Sequence, residues 1–326
     1  MSQATEMRYV NAIAKALADS MERDASVIVM GEDVAYAGGS FKATRGLLDA
    51  FGPERVIDTP ISEASITSAA VGAALTGLKP VVEIMFMDFI TLSMDALVNQ
   101  AAKARYMFGG QGSVPMVLRT PHGGGLSAGP QHSQCLEAWL AHIPGLKVVC
   151  PSSPQDAYSL LRAAIADPDP VVFVEHKAMY ASKGQVDTTR SAQIGKAATV
   201  RAGRDVTLIS YGATIPVCLQ AAAQLAKDGV EAEVLDLRSI QPWDKAAVLE
   251  SLSRTHRAVV VHEAVQAFGV GAEIVATIAD EGFDELDAPV QRVAAPFMPA
   301  PFASSLEQGY VVTAERVMAA VRKALA

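Results

Sequence analysis

Cysteine is scarce in this chain of 326 residues. Only Cys135, Cys150 and Cys218 occur. They stand at no metal-ligand spacing and are too few for a disulfide framework, which fits a reducing compartment. Long basic runs are absent, and the net charge is −8. Neither nucleic acid nor an acidic membrane surface is therefore expected as the main partner. Long apolar runs are missing too. The uncharged stretches at 64–78 and 106–118 are too short to span a bilayer and rich in glycine and small residues. The first residues mix Glu6, Asp19 and Glu22 with Arg8, Lys15 and Arg23, without the apolar core of a secretory signal. A soluble cytoplasmic protein is the expectation. No internal repeat or low-complexity tract is visible.

What is present is apolar and periodic. Hydrophobic residues make up 50% and charged residues 19%, enough to bury large cores. The length predicts two domains. Thr5 reads as a cap before a helix carrying Tyr9, Ile13, Ala16 and Leu17 at helical spacing. Strands are predicted at 27–30, 56–57, 80–86, 114–118, 146–149 and 171–175. Helices are predicted at 44–51, 65–75, 88–103, 134–142 and 153–166, the last capped by Ser153 or Ser152. Ala69, Gly72, Ala73 and Thr76 form a narrow side of the 65–75 helix, expected to lie against another helix or a cofactor. A polar stretch near 181–204 reads as a linker. Beyond it, strands at 206–210, 232–236, 257–262 and 290–293 alternate with helices at 215–227, 245–253, 271–279 and 313–325. Continuous apolar strands alternating with helices predict parallel sheets covered on both faces, an α/β architecture.

Most generic motifs fail. No Gx4GK[ST] phosphate loop occurs, and Gly269-Val270-Gly271 lacks the third glycine of a dinucleotide fingerprint. His262-Glu263 lacks the second histidine of a zinc protease. His122-Gly123-Gly124-Gly125 runs straight into Gly125-Leu126-Ser127-Ala128-Gly129. Read singly, these are an oxyanion loop and a nucleophile elbow, but a hydrolase keeps the two apart in sequence and sets the elbow between strand and helix. A flexible Gly-rich loop that brings backbone close to something is the plainer reading.

DTPISEASITSAAVGAALTGLKPVVEIMFMDF at 58–89 carries a family resemblance, continued by the segment 131–180 from QHSQCLEAWLAH to VEHKAMY. GEDV at 31, LDLRSIQPWD at 235, HEA at 262 and GVGAEI at 269 extend it in one order over nearly the whole chain. The chain resembles the β-subunits of thiamin-diphosphate-dependent E1 components of 2-oxo-acid dehydrogenase complexes. Its wording is closest to the acetoin dehydrogenase β-subunit at VVEIMFMDF, AAKARYMFGG and VEHKAMY. Pyruvate-type chains are more acidic where Glu175-His176-Lys177 stands. Ser65, Thr67 and Ser68 depart from the Gly or Ala common in the family.

The resemblance implies a pyrimidine-type α/β domain over 1–187, a linker over 188–203 and a transketolase C-terminal-like α/β domain over 204–326, each a three-layer parallel-sheet unit. It matches Glu63 to the carboxylic group that hydrogen-bonds the aminopyrimidine and activates the thiazolium C2. Taken alone, Glu63 reads first as a carboxylate satisfied at a helix N-terminus. Phe89 matches the aromatic residue stacked on the pyrimidine, and Glu32 an acidic neighbour coupled to Glu63. His132 matches the histidine facing the reacting carbon and the lipoyl group, and His122 a substrate contact. A potassium ion held by backbone carbonyls of Met116, Ala164, Asp167 and Asp169 is a further implication.

The family's diphosphate and magnesium motif, GDG followed by Asn, is missing. An E1 α-subunit is therefore expected to supply the diphosphate half and Mg2+ in an α2β2 heterotetramer, docked on a lipoyl acyltransferase E2 core. Two enzyme readings stand beside each other. One is acetoin cleavage with transfer of the two-carbon unit to lipoamide. The other is oxidative decarboxylation of pyruvate or a branched-chain 2-oxo acid. The non-enzymatic alternative, a structural or regulatory partner that has lost its chemistry, is opposed by the presence of both Glu63 and His132.

Overall fold

The computed structural model describes residues 4–326; residues 1–3, where the expected first domain begins, lie outside the described residues. Two compact units are present. The first comprises 4–122 and 139–194, and the second 123–138 and 195–326. The Gly-rich segment thus groups with the second unit.

The first unit contains β1 (Thr5–Arg8), α1 (Tyr9–Arg23), β2 (Val27–Gly31), α2 (Leu47–Phe51), β3 (Val56–Asp58), α3 (Glu63–Leu75), β4 (Lys79–Glu83), α4 (Ile90–Asp95), α5 (Ala102–Met107) and β5 (Val117–His122). After α6 (Glu137–Ala141), which begins in the second unit, come β6 (Lys147–Val149), α7 (Pro154–Ala166), β7 (Val171–His176) and β8 (Lys183–Val186). Its main sheet is parallel in the order β6-β7-β5-β4-β2-β3. Every residue of β2, β5 and β7 is buried, as a parallel sheet covered on both faces requires. Helix α1 packs on α7, and the Tyr158 hydroxyl donates to the Asp19 carboxylate across that contact at 2.7 Å.

Several local expectations are corrected. Thr5 caps no helix: it opens β1, paired antiparallel with β8 from Thr5↔Val186 to Arg8↔Lys183. A partner so distant along the chain leaves no local signal. The predicted 88–103 helix is broken into a 3₁₀ turn (Met87–Phe89), α4, a π-helical turn (Ala96–Ala101) and α5. Strand β5 lies further on than 114–118. It runs through Arg119 because carboxylates on the flanking strands receive the guanidinium. Among the described residues of this chain nothing covers the small side of α3: Ala69, Gly72 and Thr76 are exposed, while Ile66, Thr67, Ala70, Val71 and Ala74 are buried. Ser153 does cap α7, accepting from the Asp156 N–H with Pro154 in the first turn.

The second unit contains β9 (Ala198–Arg201), β10 (Val206–Ser210), α8 (Thr214–Leu225), β11 (Ala232–Asp236), a short β12 (Ser239–Gln241), α9 (Lys245–Thr255), β13 (Ala258–Val265), α10 (Val270–Glu281), β14 (Gln291–Ala295), α11 (Ser304–Tyr310) and α12 (Ala314–Leu325). The sheet order is β14-β13-β10-β11-β9, parallel except for β9. Strand β9 falls inside the polar stretch read as a linker. Helices α8 and α12 close one core over Leu208, Val234, Val259 and Val261. Thr313 caps α12 by accepting from the Arg316 N–H. Helix α11 has no counterpart among the predicted elements. Among the described residues no helix is long and apolar enough to cross a membrane.

Candidate active site

Parallel strands end together, and ligands of open α/β sheets bind beyond those carboxyl ends. In the first unit the register sets Gly31 opposite Asp58 and Glu83, Glu83 opposite Arg119, and His122 opposite His176. The segments leaving this edge carry Glu32, Glu63, Phe89 and His122, so four of the expected site residues gather there.

Glu32 follows β2 directly. Gly31 before it has φ +158°, and a Cβ there would stand 2.7 Å from the Glu83 carbonyl, so the turn requires glycine. The loop after Glu32 is pinned. The Asp58 carboxylate accepts from the Ala35 and Tyr36 N–H groups at 2.6 and 3.3 Å, and the Thr44 hydroxyl donates to the Val34 carbonyl at 2.7 Å. Burial, with the Glu63 and then the Asp33 carboxylate nearby, holds the Glu32 carboxyl above the usual carboxylate range.

Glu63 is the first residue of α3 and is buried. Its backbone carbonyl accepts from the Ser93 hydroxyl at 3.1 Å, and the Thr67 hydroxyl donates to Ser93 at 2.7 Å. These bonds tie the start of α3 to α4, the helix that follows Phe89. The Phe89 ring is half-buried and meets Phe86 edge-on at 5.8 Å. Phe86 meets Phe41 at 5.8 Å, and Phe41 meets Tyr180 at 5.0 Å. Sequence reading named only the first member of this aromatic file. Behind it lies a charge network that sequence reading also missed. The Arg119 guanidinium, 1% exposed, donates to both Glu175 oxygens at 2.6 and 2.9 Å and to Glu83 at 2.7 Å, and the Tyr180 hydroxyl donates to Glu175 at 2.7 Å. His122 is buried at the end of β5, its ring edge-on to His176 at 5.3 Å. His176 Nδ1 accepts from the Ala178 N–H at 3.2 Å, which leaves the proton of the neutral ring on Nε2.

The residues expected around potassium lie at the other end of this unit's strands. The Met116 carbonyl accepts from the Val171 N–H at 3.0 Å, and the Ala164 carbonyl from the Asp167 N–H at 3.2 Å. The Lys147 ammonium donates to both Asp167 carboxylate oxygens at 2.6 and 2.7 Å, and Arg105 pairs with the Asp169 carboxylate at 2.5 Å.

His132 belongs to the second unit. It stands, half-buried, on the returning limb of the Gly-rich loop, with its N–H donating to the Gly129 carbonyl at 3.3 Å. Gly123 donates to the Gln134 carbonyl at 3.5 Å and closes the loop's neck. Between these points the Gly124 N–H donates to Glu263 at 2.6 Å. The Gly125 N–H donates to one Glu307 oxygen at 2.8 Å, and the Ser127 N–H and hydroxyl donate to the other at 2.9 and 3.1 Å. The amides that an oxyanion hole would offer are thus committed to side-chain carboxylates, in agreement with setting the esterase reading aside.

Residues 5–183 match the model of the transketolase pyrimidine-binding domain, and residues 195–317 that of the transketolase C-terminal domain. A β-subunit of the pyruvate dehydrogenase E1 component from Oryza sativa subsp. japonica, mitochondrial by name, is 46% identical, with 98% of this chain and 87% of that protein covered. The acetoin:2,6-dichlorophenolindophenol oxidoreductase β-subunit of Bacillus subtilis (strain 168) is also 46% identical, with 94% of both chains covered. Among solved structures, a split-gene transketolase described as an inactive β4 tetramer aligns with a TM-score of 0.82 over 98% of both chains at 22% identity, a likeness of fold. With two transketolase-type domains in the same order and near-full-length relatives of this kind, the chain belongs to the family of E1 β-subunits of the 2-oxo-acid and acetoin dehydrogenases.

Proposed function

We propose that the chain is the β-subunit of the E1 component of an acetoin dehydrogenase complex. It would work in an α2β2 heterotetramer in the cytoplasm and deliver a two-carbon unit to the lipoyl group of an E2 core. The observation that carries the reading is the pair of neighbouring buried carboxyls, Glu32 and Glu63, at the carboxyl edge of a parallel sheet from which the segment bearing the half-buried Phe89 ring also leaves. Family membership makes thiamin diphosphate the cofactor. It supplies an electron sink for breaking the carbon–carbon bond next to a carbonyl.

The residues suit its pyrimidine half. A carboxyl whose hold on its proton is strengthened by burial and by a second carboxylate is suited to pass protons locally, and Glu63 would hold a proton at the aminopyrimidine ring nitrogen. Phe89 offers an aromatic face for stacking. His132 would move a proton at the reacting carbonyl oxygen or the lipoyl sulfur, as an imidazole can near neutral pH. His122 would contact substrate. Potassium at the Met116, Ala164, Asp167 and Asp169 carbonyls belongs to the same reading. Lys147 and Arg105 already balance the Asp167 and Asp169 carboxylates there, so the ion would meet carbonyl dipoles.

The substrate is the finer part of the proposal. The relatives named for pyruvate and for acetoin are equally similar, and it is the motif wording that favours acetoin. The test is co-expression with the α-subunit and parallel assays on acetoin, pyruvate and branched-chain 2-oxo acids with an artificial electron acceptor. A preference for a 2-oxo acid would replace the acetoin reading by the decarboxylase one.

Two further results are expected. The chain has no GDG motif, so alone it should bind thiamin diphosphate weakly or not at all, and bind it with Mg2+ once mixed with the α-subunit. Micromolar binding by the single chain in calorimetry would refute the half-site assignment, Mg2+ ligation by the α-subunit included. His132→Ala should lower lipoyl acetylation by about 10²-fold, the scale of a lost acid–base group. Dye reduction, which bypasses the dithiolane, should fall less. An unchanged ratio of the two rates in a folded enzyme would remove His132 from the transfer step.

A further inference from the structure

The Gly-rich loop has no regular structure of its own, yet its shape is over-determined from outside. Two carboxylates reach it from distant parts of the chain. Glu263 comes from the end of β13 and Glu307 from α11, and both lie in the same unit as the loop. Together they accept four hydrogen bonds from Gly124, Gly125 and Ser127, between 2.6 and 3.1 Å. Glu307 is buried, and each of its oxygens takes a different residue of the loop. Hydrogen bonds to an ionised acceptor are roughly twice as strong as neutral ones. The loop needs such holding, because Gly123, Gly125, Ser127 and Gly129 all have positive φ, and for Ser127 at +53° that conformation is unfavourable.

We propose that Glu307, assisted by Glu263, is a positioning residue that fixes the Gly-rich loop and thereby the place of the His132 imidazole. The inference rests on the reading of His132 given above. The four bonds hold the outgoing limb at 124–127, the Gly123–Gln134 bond closes the neck, and the His132 N–H is bonded back to Gly129 within the loop. Rotation of the outgoing limb therefore carries the returning limb with it. Neither carboxylate needs to touch substrate for this. Glu307→Gln replaces one acceptor oxygen by an NH2 group that faces an N–H donor, so one limb of the clamp turns from attractive to repulsive while size is kept.

The experiment uses the assembled enzyme and reads two quantities for Glu307→Gln, Glu263→Gln and His132→Ala. The first is amide hydrogen exchange of the 120–134 peptides. Glu307→Gln should raise it by about tenfold to a hundredfold, as expected for a lost charged hydrogen bond, with β10 peptides unchanged. Glu263→Gln should raise it less, because only the Gly124 bond is removed. The second is the ratio of lipoyl acetylation to dye reduction. It should fall for both glutamate variants in the direction of His132→Ala, with kcat reduced about tenfold and KM for the substrate within about twofold.

Unchanged exchange in the loop overturns the clamp. Raised exchange with unchanged rates, while His132→Ala lowers them, overturns the positioning role. If His132→Ala leaves the ratio untouched, it is the assignment of His132 that fails, and loop exchange still decides whether the carboxylates are anchors. Should Glu307→Gln raise exchange throughout the unit, the smaller perturbation of Glu263→Gln decides between clamp and no clamp by the same two measurements.

Discussion

Glu63→Gln is expected to lower turnover of the assembled enzyme by about 10²-fold or more, the range for loss of a positioned acid–base group. Size and one acceptor oxygen are kept, but an amide cannot share a proton with a ring nitrogen. Assembly with the α-subunit should survive, because the bonds that anchor the start of α3 run through the Glu63 backbone carbonyl and the Thr67 and Ser93 hydroxyls, none of which the substitution touches. The decisive measurement is exchange of the cofactor C2 proton by NMR; exchange near the wild-type rate would remove Glu63 from proton control. A second signature follows from the pair. Glu63 is one of the groups that raise Glu32 above the usual carboxylate range. With Gln at 63 that contribution disappears, and the Glu32 carboxyl should titrate at lower pH than in the wild type.

The other large effect is expected at Arg119. Its guanidinium bonds both Glu83 and Glu175 in the buried network behind the aromatic file. Removing one partner of a buried ionic network costs about 3–5 kcal/mol, because the charges it leaves behind stay buried without that compensation. Arg119→Met should destabilise the first unit on this scale. The pH dependence has a definite sign. Burial already holds the Glu175 carboxyl above its usual range, although Arg119 and the Tyr180 hydroxyl pull it down. Without Arg119 the folded state holds protons more tightly still. A carboxyl whose folded pKa lies above its unfolded value favours the folded state at low pH, and this contribution is lost as pH rises through the folded pKa. The gap in melting temperature between variant and wild type should therefore widen from mildly acid to alkaline pH. Adding Glu83→Gln and Glu175→Gln should recover most of the loss. Equal melting at all pH values would show that the network contributes no net stability.

Much of the fold could be read from the residues because its signals are local. The apolar strands at 27–30 and 206–210 and the Ser153 cap each need only a few neighbours in sequence. What escaped depends on partners far along the chain. Pairing of β1 with β8 hides a strand inside what looks like a capped helix start. Arg119 looks like the end of a strand until Glu83 and Glu175 are placed on either side of it. Glu63 and His132 are proposed as site residues through family resemblance alone, since a carboxylate at a helix start and a histidine in a loop have ordinary structural explanations. Glu307 sits on a short helix that was not predicted, and no spacing in the sequence relates it to the Gly-rich loop. A cluster of glycines bounded by histidines was the available hint that a loop there must be held by something.

The outward small-residue side of α3 separates folding from everything else that acts on this chain. Ala69 and Gly72 are exposed, and a Cβ at Gly72 would meet no atom within 4 Å. Gly72→Ala even gains helix propensity, about 1 kcal/mol. Selection for folding alone would therefore replace this glycine, and a search for thermostable variants of the single chain is expected to recover the same change. A requirement for a narrow face here would have to come from outside the chain, and no measurement of the chain's own melting would reveal it. Variants stabilised at Gly72 are consequently the ones to check for loss of association before they are used as improved versions of the protein.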